Sequence, residues 1–137
     1  MRSYVALDFS PAMHAIAAEH LGELASRVTF VTRDFREPTW PDDLGPFDAV
    51  VTLQAAHETR HKRHLVPLLE RARTVLAPGG LLLYADHYLT PETKLPALSP
   101  TRADQPLALA RAGFVDVGLR YEEGNMALWS GTNPGAP

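Results

Sequence analysis

Tyr4-Val5-Ala6-Leu7-Asp8-Phe9-Ser10-Pro11-Ala12-Met13 is the stretch on which the reading of the fold turns. Ser3 to Leu7 is mostly apolar on both faces and stops at Asp8, the pattern of a strand buried inside a parallel sheet. Ser10-Pro11 then supplies a helix start. The serine hydroxyl can accept from an early helical N–H, and proline suits the first helical position, where its missing N–H would have no helical partner. Met13, Ile16, Ala17, Leu21 and Leu24 follow at helical spacing.

Working outward, Val28 to Val31 reads as a second short strand, ending before Asp34, and a proline-rich loop with Trp40 runs from Arg36 to Pro46. Phe47 to Leu53 is a third strand centred on Val50-Val51. Leu65, Leu68, Leu69, Ala72 and Leu76 mark an amphipathic helix, with Pro67 in its first turn, since an interior proline would break it. Ala77-Pro78-Gly79-Gly80 closes that helix, and Leu81 to Ala85 forms a fourth strand ending at Asp86. Residues 91–106 read as a proline-rich loop, and Leu107 to Ala112 as a short helix closed by Gly113. Val115, Val117, Leu119 and Tyr121 alternate with Asp116, Gly118, Arg120 and Glu122, a half-buried strand. Glu123-Gly124-Asn125 is a turn, and Met126 to Ser130 is the returning strand of a hairpin. The expected fold class is α/β: a layered sheet, parallel until a C-terminal antiparallel hairpin. Residues 1–131 are expected to form one domain and 132–137 a flexible tail.

Composition narrows the function. The chain has 137 residues, with 13 Lys+Arg against 16 Asp+Glu and a formal charge of −3. No basic face of the kind that binds a phosphate backbone is evident, which argues against a nucleic-acid partner. Cysteine is absent, excluding disulfides and thiolate chemistry and agreeing with a cytoplasmic location. No apolar stretch approaches a membrane span, so no membrane partner is expected.

In an open parallel sheet, ligands bind beyond the carboxyl ends of the strands, and Asp8, Asp34 and Asp86 all fall there. With Val28-Thr29-Phe30, Phe47-Asp48-Ala49-Val50-Val51, Leu76-Ala77-Pro78-Gly79-Gly80-Leu81-Leu82-Leu83 and Ala112-Gly113-Phe114, the order and spacing of these features carry a resemblance. From residue 3 to about 131 the chain resembles a class I, Rossmann-like S-adenosylmethionine-dependent methyltransferase entered at its second strand. The resemblance implies S-adenosylmethionine as cofactor and a small-molecule acceptor. It also implies that Asp8 holds the ribose hydroxyls, that Phe9 and Met13 pack around the adenosine, and that Asp34 accepts from the adenine amino group with Phe35 beside the ring. Gln54 and Ala55 would line the floor beneath the sulfonium.

The family's first strand and glycine-rich loop have no counterpart here, so the expected fold is truncated at the N-terminus. No Gly-x-Gly occurs in the sequence. In the family that strand lies between those assigned to residues 3–7 and 47–53. These two must then pair directly, or another chain must complete the sheet, because unpaired buried backbone is costly. A homodimer is the expectation.

A base is needed only when the acceptor must lose a proton, and histidine suits neutral pH. His57 and His87 follow strands and are the candidate catalytic residues, with Tyr88 a weaker candidate for orienting an acceptor. Two alternatives stand beside this reading. One is a non-catalytic binding or oligomerisation module. The other, more remote, is a zinc metalloprotease, because His57-Glu58-Thr59-Arg60-His61 is a literal H-E-x-x-H that could bind metal if helical.

Overall fold

The computed structural model describes residues 3–136. It divides into two compact units, one ending at Trp40 and the other beginning at Pro41.

In the first unit, β1 (Tyr4–Asp8) and β2 (Val28–Thr32) pair in parallel, in register from Tyr4↔Val28 to Asp8↔Thr32. Arg33 N extends the ladder by donating to Asp8 O at 3.0 Å. Between the strands runs α1 (Pro11–Leu21), and its start is as read from the sequence: Ser10 Oγ accepts from Met13 N at 3.3 Å, with proline at the first helical position. His14 ties α1 to β2. Its Nε2 lies 3.1 Å from Val31 O, and its ring meets Phe30 edge-on at 5.2 Å. The stripe expected to be core is not buried: Met13 is 51% exposed and Ile16 47%. One helix on a two-stranded sheet has too little surface to enclose both faces. Among the described residues of this unit, only Trp40 is buried.

The second unit is a four-stranded sheet in the order β3–β4–β6–β5, formed by β3 (Phe47–Leu53), β4 (Leu76–His87), β5 (Val115–Glu123) and β6 (Met126–Thr132). β3 and β4 are parallel, whereas β6 is antiparallel to both β4 and β5. The returning strand of the hairpin therefore lies beside β4 and puts β5 on the edge. α2 (Leu65–Thr74) buries Leu65, Leu68, Leu69 and Ala72, the stripe read from the sequence. α3 (Asp104–Arg111) buries Gln105, Ala108 and Leu109. Leu69, Leu82 and Leu109 are fully enclosed, each contributing about 1.5–3 kcal/mol of transfer free energy.

Three boundaries differ from the sequence reading. β4 begins at Leu76 rather than Leu81, because Leu76 pairs with Phe47 and the Pro78-Gly79-Gly80 turn is a bulge within the strand. Glycine is required there: Gly79 has φ +78°, and a Cβ on Gly80 would lie 2.8 Å from Ala77 O. α3 begins at Asp104, three residues before the first apolar position, because Thr101 Oγ accepts from Asp104 N at 3.1 Å. The residues read as a frayed tail start with Thr132, still in β6, and Asn133, which is buried and donates from Nδ2 to Leu76 O at 2.9 Å.

Among the described residues β1 pairs with β2 in one sheet, and β3, paired with β4, is an edge strand of the other. No helix among them is long and apolar enough to cross a membrane.

Candidate functional site

The strand ends of the first unit carry the acids expected there. Asp8 closes β1, and its Oδ1 accepts from Ser10 N at 2.8 Å, which fixes the carboxylate at the head of α1. Phe9 is 54% exposed, an aromatic face offered to solvent. Asp34 follows β2, but its carboxylate is engaged. Arg36 donates from its backbone N to Oδ1 and from Nε to both oxygens, each at 2.9 Å, and from Nη2 to Oδ2 at 2.5 Å. The same guanidinium lies 5.8 Å from the Phe9 ring centroid. Phe35 is half-buried and Met13 exposed.

In the second unit a shallow cleft opens at the end of β4. Tyr84 and Asp86 lie deepest in it, at 1% and 2% exposure, and Leu65, Leu98 and Pro100 supply apolar wall. His57 enters from the 3-10 turn Ala56–Thr59. Its Nδ1 lies 2.9 Å from Asp86 Oδ1, and its backbone N donates to Asp86 Oδ2 at 3.1 Å. A carboxylate can only accept, so the proton of this contact is on Nδ1 and Nε2 is left as the basic nitrogen. Glu58 Oε1 stands 3.3 Å from Nε2, so an imidazolium at His57 has one carboxylate at each ring nitrogen. Asp86 Oδ1 also accepts from His87 N at 2.8 Å, so the buried carboxylate is fully partnered. Burial, with Asp86 nearby, pushes the Tyr84 phenol far above its ordinary range and keeps it a neutral hydroxyl.

Behind the dyad runs a buried polar line. Gln105, 0% exposed, donates from Nε2 to Asp86 O at 3.2 Å and accepts from Trp129 Nε1 at 3.0 Å. His87, the other candidate base, also lines the cleft, with its Nδ1 2.9 Å from Asn125 Oδ1. The Tyr88 hydroxyl donates to Gly124 O at 3.0 Å. Both contacts clamp the hairpin tip to the end of β4. Gln54 adopts φ +52° just past β3, and its N donates to Ala85 O at 2.8 Å, with Ala55 half-buried beside it.

The model of a methyltransferase domain matches residues 1–80. The chain belongs to this methyltransferase-domain family. Solved structures agree on the fold. A "possible exported protein" from Bordetella parapertussis superposes with a TM-score of 0.79 at 18% identity, covering 96% of this chain and 53% of its own. An O-methyltransferase family protein from Burkholderia thailandensis gives 0.75 at 19%, covering 95% and 43%. Human N-acetylserotonin methyltransferase, solved with S-adenosylmethionine, gives 0.69 at 19%, covering 95% and 40%. The chain thus spans about half or less of these proteins. No curated protein matches the sequence.

The H-E-x-x-H segment of this methyltransferase domain is not a metal helix. Arg60 sits at φ +67° after the 3-10 turn and His61 is extended at φ −162°, so His57 and His61 share no helical face. Among the described residues no group of three or more ligating side chains could hold a metal ion. The metalloprotease alternative falls with that geometry.

Sequence reasoning found His57 but not its partner. In the sequence Asp86 is only a strand-end acid, and the two lie 29 positions apart, so no local spacing connects them. Tyr84, Thr59 and Lys62, which also line the cleft, and Gln105 behind it carried no motif signal.

Proposed function

We propose that this chain works as part of an S-adenosylmethionine-dependent methyltransferase that acts on a small molecule, with His57 as the base. The observation that carries the reading is the Asp86–His57 pair: a buried carboxylate fixes the ring so that Nε2 is available to a proton donor in the cleft. S-adenosylmethionine, when bound, supplies a methyl group already activated on a sulfonium. Little acid–base chemistry is then left to the protein. His57 Nε2 takes the proton of the acceptor hydroxyl, and Asp86 and Glu58 stabilise the imidazolium that results. Leu65, Leu98 and Pro100 give the cleft beside His57 apolar walls.

The chain's residues fit the adenosine half of the cofactor. Asp8 Oδ2 remains for the ribose hydroxyls, since among the described residues only Oδ1 is engaged, and Phe9 offers an open face. Asp34 accepts an adenine amine once Arg36 yields it. Calorimetric titration of the full chain with S-adenosylhomocysteine and with S-adenosylmethionine tests the reading. Heat of binding is expected with ligand at up to about 1 mM, and Asp8→Ala is expected to weaken it about tenfold or more. No heat with either ligand overturns the enzyme reading and favours a non-catalytic binding or oligomerisation module.

The open edge of the four-stranded sheet supports a homodimer. β5 forms one edge and carries Asp116, Arg120, Glu122 and Glu123, charges that discourage strand addition. β3 forms the other and exposes Val51 at 61% and Leu53 at 66%. A second copy presenting the same edge across a two-fold axis satisfies both rows of backbone groups. Light scattering at micromolar concentration is expected to give twice the chain mass, and a clean monomer overturns this arrangement.

A further inference from the structure

We propose that Arg36 is a built-in competitor of the cofactor: its guanidinium holds the place between Asp34 and Phe9 that the adenine ring takes, and cofactor binding expels it. The proposal rests on the reading of Asp34 and Phe9 as adenosine contacts.

The fold brings the three residues together. β1 and β2 are parallel and in register, and Arg33 N donates to Asp8 O at 3.0 Å. Phe9, just after β1, and Asp34 to Arg36, just after β2, therefore leave the same end of the sheet. The bond from Arg36 N to Asp34 Oδ1 is a local turn that closes whatever side chain residue 36 carries. The guanidinium adds a second layer. Nε donates to both Asp34 oxygens at 2.9 Å and Nη2 to Oδ2 at 2.5 Å, while the same planar group stands over the Phe9 ring, 5.8 Å from its centroid.

An arginine two positions after an aspartate is commonly no more than a surface ion pair. The contact with Phe9 separates the two cases, because that residue comes from another segment of the chain. A flat group that donates from its edge to a carboxylate and lays its face near an aromatic ring has the recognition features of adenine, with its exocyclic N–H and its π surface. An adenine bonded to Asp34 and packed beside Phe9 needs the space that the guanidinium fills. Apparent affinity is then the intrinsic affinity reduced by the fraction of chains in which Arg36 has swung out. With the fork closed in about 70–90% of chains, the reduction is about three- to tenfold.

The test is calorimetric titration of the full chain, wild type and variants, with S-adenosylhomocysteine, whose ammonium and carboxylate cancel at neutral pH. Arg36→Ala is expected to bind about three- to tenfold tighter than the wild type. Arg36→Lys, which keeps the charge but not the fork, is expected to fall between them. Added salt screens the ion pair, so it is expected to strengthen binding to the wild type and to leave Arg36→Ala unchanged. In ¹⁵N spectra of the wild type, the Arg36 Nε–H resonance is expected to move as the ligand saturates the chain, and this measurement does not depend on any variant folding. Equal or weaker binding by Arg36→Ala, or an Nε–H resonance unmoved by bound ligand, overturns the proposal and leaves the cofactor reading standing. No binding by either the wild type or Arg36→Ala overturns both.

Discussion

His57→Ala is expected to lower kcat/KM for methyl transfer to a hydroxylated acceptor by about 10²–10⁴-fold. The imidazole is held for proton transfer, with Nδ1 against Asp86 and Nε2 toward Glu58. Asp86→Asn tests the same logic from the other side. An amide in place of the carboxylate loses the charge that stabilises the imidazolium and leaves the ring free to take the other tautomer, so an intermediate loss is expected. The measurement is transfer of a labelled methyl group to a panel of phenolic acceptors, with His87→Ala in parallel. A His57→Ala variant within threefold of the wild type would remove this residue from the chemistry, and a large loss in His87→Ala alone would move the role there.

The second large effect is on stability. Gln105→Leu is expected to reduce the unfolding free energy by about 2–4 kcal/mol. Leucine fills much of the volume but strands two buried polar groups, the Trp129 indole N–H and the Asp86 carbonyl, each costing about 1–3 kcal/mol without a partner. Urea denaturation of the full chain followed by circular dichroism gives the difference. A change below about 1 kcal/mol would mean that water or a shifted neighbour replaces the amide, and that the line from Trp129 to Asp86 is not structural.

Where side-chain period and turn chemistry act locally, the sequence reading was close. β3 spans Phe47–Leu53 as read, α1 begins at Ser10-Pro11, and the stripe of α2 is buried as its spacing required. The hairpin turns at Gly124, whose φ of +59° is cheap for glycine. Boundaries moved where a distant partner decided them. Leu76 looked like the last apolar position of a helix, yet it is in β4 because Phe47 pairs with it. Met13 and Ile16 looked like core and are exposed, because a helical stripe says which residues share a face and not what covers that face.

The candidate site divides in the same way. The strand-end acids and His57 were legible because strands deliver their last residues to one end of a sheet, a consequence of chain direction alone. The sequence by itself thus determined the alternation of strands and helices, the placement of Asp8, Asp34 and Asp86, and the kinship with methyltransferase domains. Tertiary structure alone decided the partners. Asp86 met His57, Arg36 claimed Asp34, Gln105 joined Trp129 to the end of β4, and β6 took the place beside β4. Such contacts depend on where residues far apart in the chain come to rest, and a local pattern carries no record of that distance.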